Sequence, residues 1–308
     1  MDIDGIETLV AIARFGGLTR AATHLNRSQP AISRRIALME ADLGAPLIER
    51  VRGGVKLTDA GMAFLPFAKA ALAAVEDGLN AVRASTGVDS GSVSVALVGT
   101  LADTHIVDIL RRFVSRFRTV DLELRTATSH EVSDLVRRGE VTLGLRYVGD
   151  GHDDLMSEII GGEAMVVIAK PDHPLVDKRA TPEALRGERW ISFPAGGGRQ
   201  SFGQILQRQL TASGLDQARL TIIDSLTAQK RLVEAGFGIA LMPESSIRDE
   251  LRNGTLRRLD APTLRTTVKI ALLYRRDGYL NPAACALMET IKEGTQRIRG
   301  RRNGSKNV

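Results

Sequence analysis

The stretch Leu18–Ile36, LTRAATHLNRSQPAISRRI, holds two short apolar-periodic segments separated by polar residues, and its second half is crowded with arginines and hydroxyls. Thr19 is placed to N-cap a short helix, RAATHL, in which Ala21 and Ala22 permit close approach of a second helix and Leu25 points to a core. Asn26 and Arg27 make the turn, asparagine tolerating the left-handed backbone that a sharp change of direction requires. Ser28 caps the second helix, with Pro30 in its first turn, where a missing N–H costs nothing. Ile32, Ile36, Met39 and Leu43 recur every three or four residues and define the buried face. Gln29, Ser33 and Arg34 fall elsewhere on the circumference, toward the N-terminal end. A recognition helix presents that end to base edges in the major groove, where Gln pairs with adenine, Arg with guanine and Ser with either. The helix N-terminus with Ser28 also suits a phosphate, and Thr19, Arg27 and Pro30 are counted with these residues as DNA contacts. An ordinary helical hairpin with a solvated polar face would show the same pattern, so the segment alone leaves both readings open.

The next segment shifts the balance. PLIERVRGGVKLTDAG, Pro46–Gly61, predicts two strands, Leu47–Arg52 and Val55–Leu57, joined at Gly53-Gly54 as a two-residue hairpin. Arg50, Arg52 and Lys56 make it a basic wing able to reach phosphates or an adjacent minor groove. A helix-turn-helix followed by a basic wing is a specific combination.

On these residues the chain resembles the LysR-type transcriptional regulators. The likeness is carried by Phe15, Gly16, Thr19, Ala21, Ala22 and Leu25, by SQPAIS at Ser28–Ser33, by Glu40, Leu43, Gly44, Leu47 and Arg50, and by LTDAG at Leu57–Gly61. Gly17-Leu18 stand where Ser-Phe is usual, Met39 where Leu is usual and Ile48 where Phe is usual; all but Gly17 exchange one apolar residue for another.

From Asp59 to about Ala84, Met62, Leu65, Phe67 with Ala68, Leu72, Val75, Leu79 and Val82 form a near-continuous helical stripe about 40 Å long, with Pro66 placed to kink it. The small N-terminal domain cannot cover such a stripe, so a partner helix from a second copy is the economical solution, although packing on the chain's own C-terminal domain would show the same pattern. The resemblance favours a homodimer or homotetramer, whose paired recognition helices would meet successive major grooves of double-stranded DNA at an inverted repeat.

Ser85–Ser92, STGVDSGS, reads as a linker. Strands SVSVALVG, VDLELRTA and VTLGLRY then alternate with helices around 101–117 and 131–138, and a second set follows: EAMVVIA, RWISFP, RLTIID and GIALMP with helices SFGQILQRQLTAS and LTAQKRLVEAG. A late strand, TTVKIALLYRR, and helix, PAACALMETIKE, return to the first set. The expected fold class is α/β: an N-terminal winged helix-turn-helix (1–58), a long linker helix (59–88) and a two-lobed effector domain (89–308), with lobe I at about 91–161 plus 266–295 and lobe II at about 162–265. Two lobes joined by two crossing strands make a periplasmic-binding-protein-like architecture, which the resemblance also implies; LVEAGFGIALMP, Leu232–Pro243, matches the family's second-lobe pattern.

Such domains bind ligands where strand ends and helix starts converge in the cleft. Position selects Thr100, Ser129 and Arg146 from the first lobe, and Arg199, Gln200, Ser201, Ser225 and Thr227 from the second. Thr100 and Ser129 also match hydroxyl positions that line the family's cleft. Hydroxyls, backbone N–H groups and arginine together favour a small anion such as a carboxylate, while ordinary N-capping competes at each single hydroxyl.

Composition limits the remaining classes. No apolar run approaches the ~20 residues of a membrane span, and MDIDGIETLV lacks a basic start and a cleavage pattern, so a cytoplasmic protein is expected. The tail from Lys292 onward, with six basic residues and one acid, supplies nearly all of the net +6 charge, so the DNA reading rests on pattern rather than on net charge. One cysteine, Cys285, excludes an intramolecular disulfide, and its apolar helical surroundings predict a buried thiol. The five histidines have no metal-ligand spacing, PAGGGRQS lacks the phosphate-loop pattern, and no catalytic set assembles, so neither metal nor cofactor nor enzymatic activity is expected. Two classes of function fit: an effector-modulated DNA-binding regulator, and a cytoplasmic solute-binding protein or enzyme with an N-terminal association domain. The wing and the SQPAIS helix favour the regulator.

Overall fold

The computed structural model describes residues 1–52, 54–85, 91–148, 151–195 and 202–304, which fall into two compact units. Met1–Asp89 with Arg137–Val141 and Asp277–Asn281 form the first, and the remainder the second.

The first unit begins with α1 (Ile3–Phe15), N-capped by Asp2, whose Oδ1 accepts the Gly5 N–H at 2.8 Å. Then come α2 (Leu18–His24), α3 (Gln29–Leu43), β1 (Ile48–Val51), β2 (Gly54–Leu57) and α4 (Asp59–Ser85). Leu9, Ile12, Ala21, Ala22, Ile32, Ile36, Met39 and Leu47 are buried together, each large apolar side chain contributing about 1.5–3 kcal/mol. Leu43, expected on that face, is instead exposed, because α3 ends there and Gly44 turns the chain away in the left-handed conformation. Thr19 does not cap α2: the helix starts two residues earlier, with Gly17 at its N-cap and no side-chain cap, and Thr19 lies exposed in the first turn. The hairpin is also displaced by one residue. Its register pairs Val51 with Gly54, so the link is Arg52-Gly53, and Gly53 itself lies outside the described residues.

Two contacts fix the wing to the helices. Glu40 Oε1 on α3 accepts the N–H groups of Leu47 and Ile48, and α4 starts so close to Leu47 that a Cβ on Gly61 would sit 2.1 Å from the Leu47 carbonyl oxygen. Only glycine fits there. Along α4 the expected stripe divides: Ala68 and Leu72 pack into the core, joined by Phe64, which lay outside the expected stripe, whereas Met62, Phe67, Val75, Leu79 and Val82 are exposed, Phe67 most of all at 71%.

The second unit contains β3 (Ser92–Val98), α5 (Ile106–Arg116), β4 (Asp121–Ala127), α6 (Ser129–Arg137), β5 (Leu143–Tyr147) and β6 (Leu155–Ala169). It continues through α7 (Pro182–Leu185), β7 (Arg189–Ser192), α8 (Phe202–Ala212), β8 (Arg219–Ile222), α9 (Leu226–Glu234), β9 (Ile239–Pro243), α10 (Arg248–Asn253), β10 (Arg257–Leu259), β11 (Thr266–Arg275) and α11 (Pro282–Gly304). One sheet runs β4-β3-β5-β11-β6-β9-β7-β8, with β10 added on β6. β3, β4 and β5 are parallel, as are β7, β8 and β9. Between these sets β6 and β11 lie antiparallel, with a register shift between Ile270 and Ala271, and carry the chain across both lobes. Helix α6 seats Val132 and Val136 where a Cβ on Gly144 would meet them at 2.9 and 2.8 Å. The Cys285 thiol is exposed rather than buried, since α11 turns Ala284, Leu287 and Ile291 inward and Cys285 outward.

Candidate DNA interface and effector cleft

The first unit builds its reading surface from a turn and a cap. Asn26 takes the left-handed conformation at φ 51°, and the Ser28 hydroxyl accepts the Ala31 N–H at 3.3 Å, with Pro30 in the first turn of α3. Gln29, Pro30 and Arg34 are exposed and Ser33 is half-buried. The same outward face continues through Ala37 and Leu38, the latter 59% exposed. Sequence reasoning passed over these two, although Leu38 follows Arg34 at helical spacing; apolar side chains there suit thymine methyls. Arg50 and Arg52 of the wing are exposed, whereas Lys56 pairs with Glu49 at 2.7 Å, which raises its pKa. Arg27 is likewise engaged, its guanidinium 3.2 Å from the Asp4 carboxylate.

In the second unit, the end of β3 runs into a 3-10 turn, Gly99–Leu101, that lies beside the end of β5. Thr100 and Tyr147 are both buried there, and neither hydroxyl has a hydrogen-bond partner among the described residues. Burial drives the Tyr147 pKa well above the ordinary phenol value, and the nearby Thr100 hydroxyl acts in the opposite direction, although no hydrogen bond of proper geometry joins the two. The Tyr147 ring meets Phe202 of α8 edge-on, with centroids 4.5 Å apart, and Phe193 stands 5.7 Å from Phe202. Thr100, Tyr147 and an aromatic wall are thereby gathered from both lobes. Val148, immediately after Tyr147, is a β-branched residue at φ 61°, a strained backbone of the kind that gathers at functional sites.

Successive strand residues face opposite sides, so Arg146 does not join Thr100. Its Nη1 donates to Ser133 Oγ on α6 at 2.6 Å, and Ser133 in turn donates to the Ser129 carbonyl. Ser129 is not the cap of α6, a task performed by Thr128 and Glu131, which exchange hydrogen bonds. Ser225 does cap α9, accepting the Ala228 N–H at 3.3 Å, and both Ser225 and Thr227 are exposed. Arg199, Gln200 and Ser201 lie outside the described residues, just before α8. At the rim Lys230 reaches Asp103 at 3.5 Å, and Arg248 meets His105 at 3.3 Å, so each lobe touches the other. Among the described residues no group of His, Cys, Asp and Glu is arranged to hold a metal ion, and no helix is long and apolar enough to cross a membrane.

Known proteins match both units. Residues 3–62 match the family of bacterial regulatory helix-turn-helix proteins, lysR family, and residues 86–296 the LysR substrate binding domain. The HTH-type transcriptional regulator CfxR of Cupriavidus necator is 27% identical over 300 residues, 97% of this chain and 93% of that one. The RuBisCO operon transcriptional regulator of Allochromatium vinosum is 28% identical over 289 residues, 94% of each chain. Full-length CbnR complexed with its target DNA has a TM-score of 0.70 at 25% identity, covering 96% of this chain and 100% of that one. The chain belongs to the LysR family of bacterial helix-turn-helix transcriptional regulators.

Proposed function

We propose that this cytoplasmic regulator binds an inverted-repeat promoter site as a homodimer or a pair of dimers and is modulated by a small carboxylate held in the interlobe cleft. On the DNA side, Gln29, Pro30, Ser33 and Arg34 read bases, with Thr19, Ser28, Arg50 and Arg52 available to the phosphate backbone and Lys56 held by Glu49 within the wing. The exposed stripe of Val75 and Leu79 on α4 supports association through that helix.

The observation that carries the effector reading is the pair of buried, unpartnered hydroxyls, Thr100 Oγ1 and Tyr147 OH. Leaving such groups unpaired costs about 1–3 kcal/mol each, and one carboxylate oxygen pair accepting both O–H donors would remove that cost. Phe193 and Phe202 suit the apolar body of the same ligand. Ser225 and Thr227, exposed at the start of α9, are the second-lobe hydroxyls available to the same ligand, whereas Arg146 is committed to Ser133 on α6.

Thermal-shift measurements on the full chain with a panel of small carboxylates test this reading, since a ligand at about 100 times its Kd adds roughly 2.7 kcal/mol of apparent stability. A hit whose shift disappears in Thr100→Val supports the cleft. Hits unaffected by both Thr100→Val and Tyr147→Phe place the ligand elsewhere.

A further inference from the structure

The sequence alone does not reveal that the start of α1 grips the reading helix through acids. Asp4 Oδ2 pairs with two guanidinium groups, Arg27 at 3.2 Å in the turn and Arg35 on α3, and Asp2 Oδ2 lies 3.4 Å from Arg35. A third tie joins the Met1 amino group to Asp42 near the end of α3. The Gly5 N–H bond and Arg35 hold the Asp2 carboxyl below the usual carboxylate range. The two arginines bracket the end of α3 that carries Ser28, Gln29 and Arg34. Arg27 immediately precedes the cap, and Arg35 follows Arg34 but is turned from the outward face and half-buried. Within this arrangement the outward face retains Arg34 as its own cation.

We propose that Asp4, assisted by Asp2, is a specificity-determining clamp that keeps Arg27 and Arg35 off the DNA phosphates, so that base contacts rather than nonspecific charge dominate binding. The proposal rests on α3 being the helix that enters the groove. It follows from the physics of binding to a polyanion, where each cation that neutralises a phosphate adds affinity for every sequence equally and steepens the salt dependence by about 0.9 in log–log slope. A cation held by an intramolecular carboxylate adds neither. Arg27, read from sequence as a DNA contact, is thus reassigned to holding the turn.

The test measures binding of the full chain to a duplex from the region upstream of its own coding sequence and to a random-sequence duplex of equal length, across a salt series. Asp4→Asn is expected to raise affinity for the random duplex about tenfold at low salt, to steepen its salt slope by about 1 to 2, and to reduce the site-to-random ratio. Asp2→Asn/Asp4→Asn is expected to do more, asparagine at position 2 retaining the helix cap. Asp4→Glu restores the wild-type slope. Arg35→Gln in the wild-type background leaves both slopes unchanged, which keeps the question decidable if the Asp4 variants fold poorly; a slope shallower by about one would mean that Arg35 already touches phosphate and would overturn the clamp. Unchanged slopes in Asp4→Asn, or an equal fall of affinity for both duplexes, also overturn it. Arg34→Ala reports on the underlying reading: loss of site preference there with no effect of Asp4→Asn rejects the clamp alone, and no effect of either rejects both.

Discussion

The two units differ in the polar groups they leave unsatisfied. In the first, the polar groups that shape the reading surface are taken up locally: Ser28 caps α3, Glu40 holds the wing, and Asp4 binds Arg27 and Arg35. What stays open is apolar surface along α4, with Met62 and Phe67 on its first half and Val75 and Leu79 on its second. In the second, Leu124, Ile159, Leu220, Ile222 and Phe237 also stay exposed, but three buried polar atoms lack a partner among the described residues as well: Trp190 Nε1 and the hydroxyls of Thr100 and Tyr147. An uncovered apolar stripe is satisfied by another protein surface, and a dry unpaired hydroxyl by a polar ligand. The contrast separates where the chain associates from where it senses.

The largest effect is expected from removing the apolar opening. Leu79→Glu puts a charge on the stripe that α4 leaves exposed and should convert the dimer to monomer in sedimentation experiments. Tethering the second reading head contributes on the order of 10²–10⁴ in avidity, so affinity for the promoter duplex should fall by about that factor while each unit stays folded. An unchanged mass and affinity would assign the stripe to some other surface.

The second effect tests the polar opening. Thr100→Val is nearly isosteric and removes a buried unpaired hydroxyl, so the ligand-free protein should melt at an equal or higher temperature, by about 1 kcal/mol of added stability. The effector response in a reporter assay should be lost while DNA affinity is retained. A loss of stability of that size would show that the hydroxyl has a structural partner and would break the comparison at its second member.

Much of the first unit was legible in the sequence because its determinants are local. Asn26 at the turn, Ser28 at the cap, Pro30 in the first turn and the Ile32, Ile36, Met39 spacing each act within four residues, and each appears in the structure in that role. The failures there have the same scale: Thr19 lost the cap to Gly17, and the hairpin register slipped by one residue, because competing local solutions differ by little energy. In the second unit the alternation of strands and helices was readable, but β6 proved to start at Leu155 rather than near Ala164. Its first half pairs with β11 more than a hundred residues away, and no local pattern marks that pairing. Tyr147 went unnoticed for the same reason. A tyrosine ending a strand looks like core, and only the approach of the Gly99–Leu101 turn and of Phe202 shows its hydroxyl stranded beside Thr100. Arg146 was chosen by position along the strand, whereas the pleat turns it to α6.

A smaller effect belongs to the Ser28 cap. Ser28→Ala leaves the Ala31 N–H without its side-chain acceptor and should cost about 1 kcal/mol of stability in chemical denaturation. Because the lost bond fixes the start of α3, affinity for the promoter duplex should fall a few-fold more than affinity for random sequence. If both fall equally, the hydroxyl serves folding or phosphate contact rather than the aim of the helix.

The smallest expected effect asks whether Thr100 and Tyr147 are exceptional within their own unit. Elsewhere in that unit a comparable tyrosine is fully engaged: Tyr274 on β11 donates to Glu158 on β6 at 2.7 Å, and Lys292 on α11 pairs with the same carboxylate. Burial and the bond to Glu158 push the Tyr274 pKa up to about 12, while Lys292 and then Tyr274 hold the Glu158 pKa below its ordinary 4.5. A carboxyl lowered on folding contributes stability above its unfolded pKa and loses it as pH falls through the folded value. The group is about a third exposed, so the contribution stays under about 1 kcal/mol after solvent screening. Tyr274→Phe should therefore lower the melting temperature slightly at pH 7, and the gap from wild type should close as pH falls through the lowered folded-state pKa of Glu158. Tyr147→Phe should instead leave the melting temperature equal or higher throughout that pH range. Two tyrosines of one sheet, substituted identically, would then shift stability in opposite senses, as expected if one hydroxyl is committed to the fold and the other is kept for a ligand.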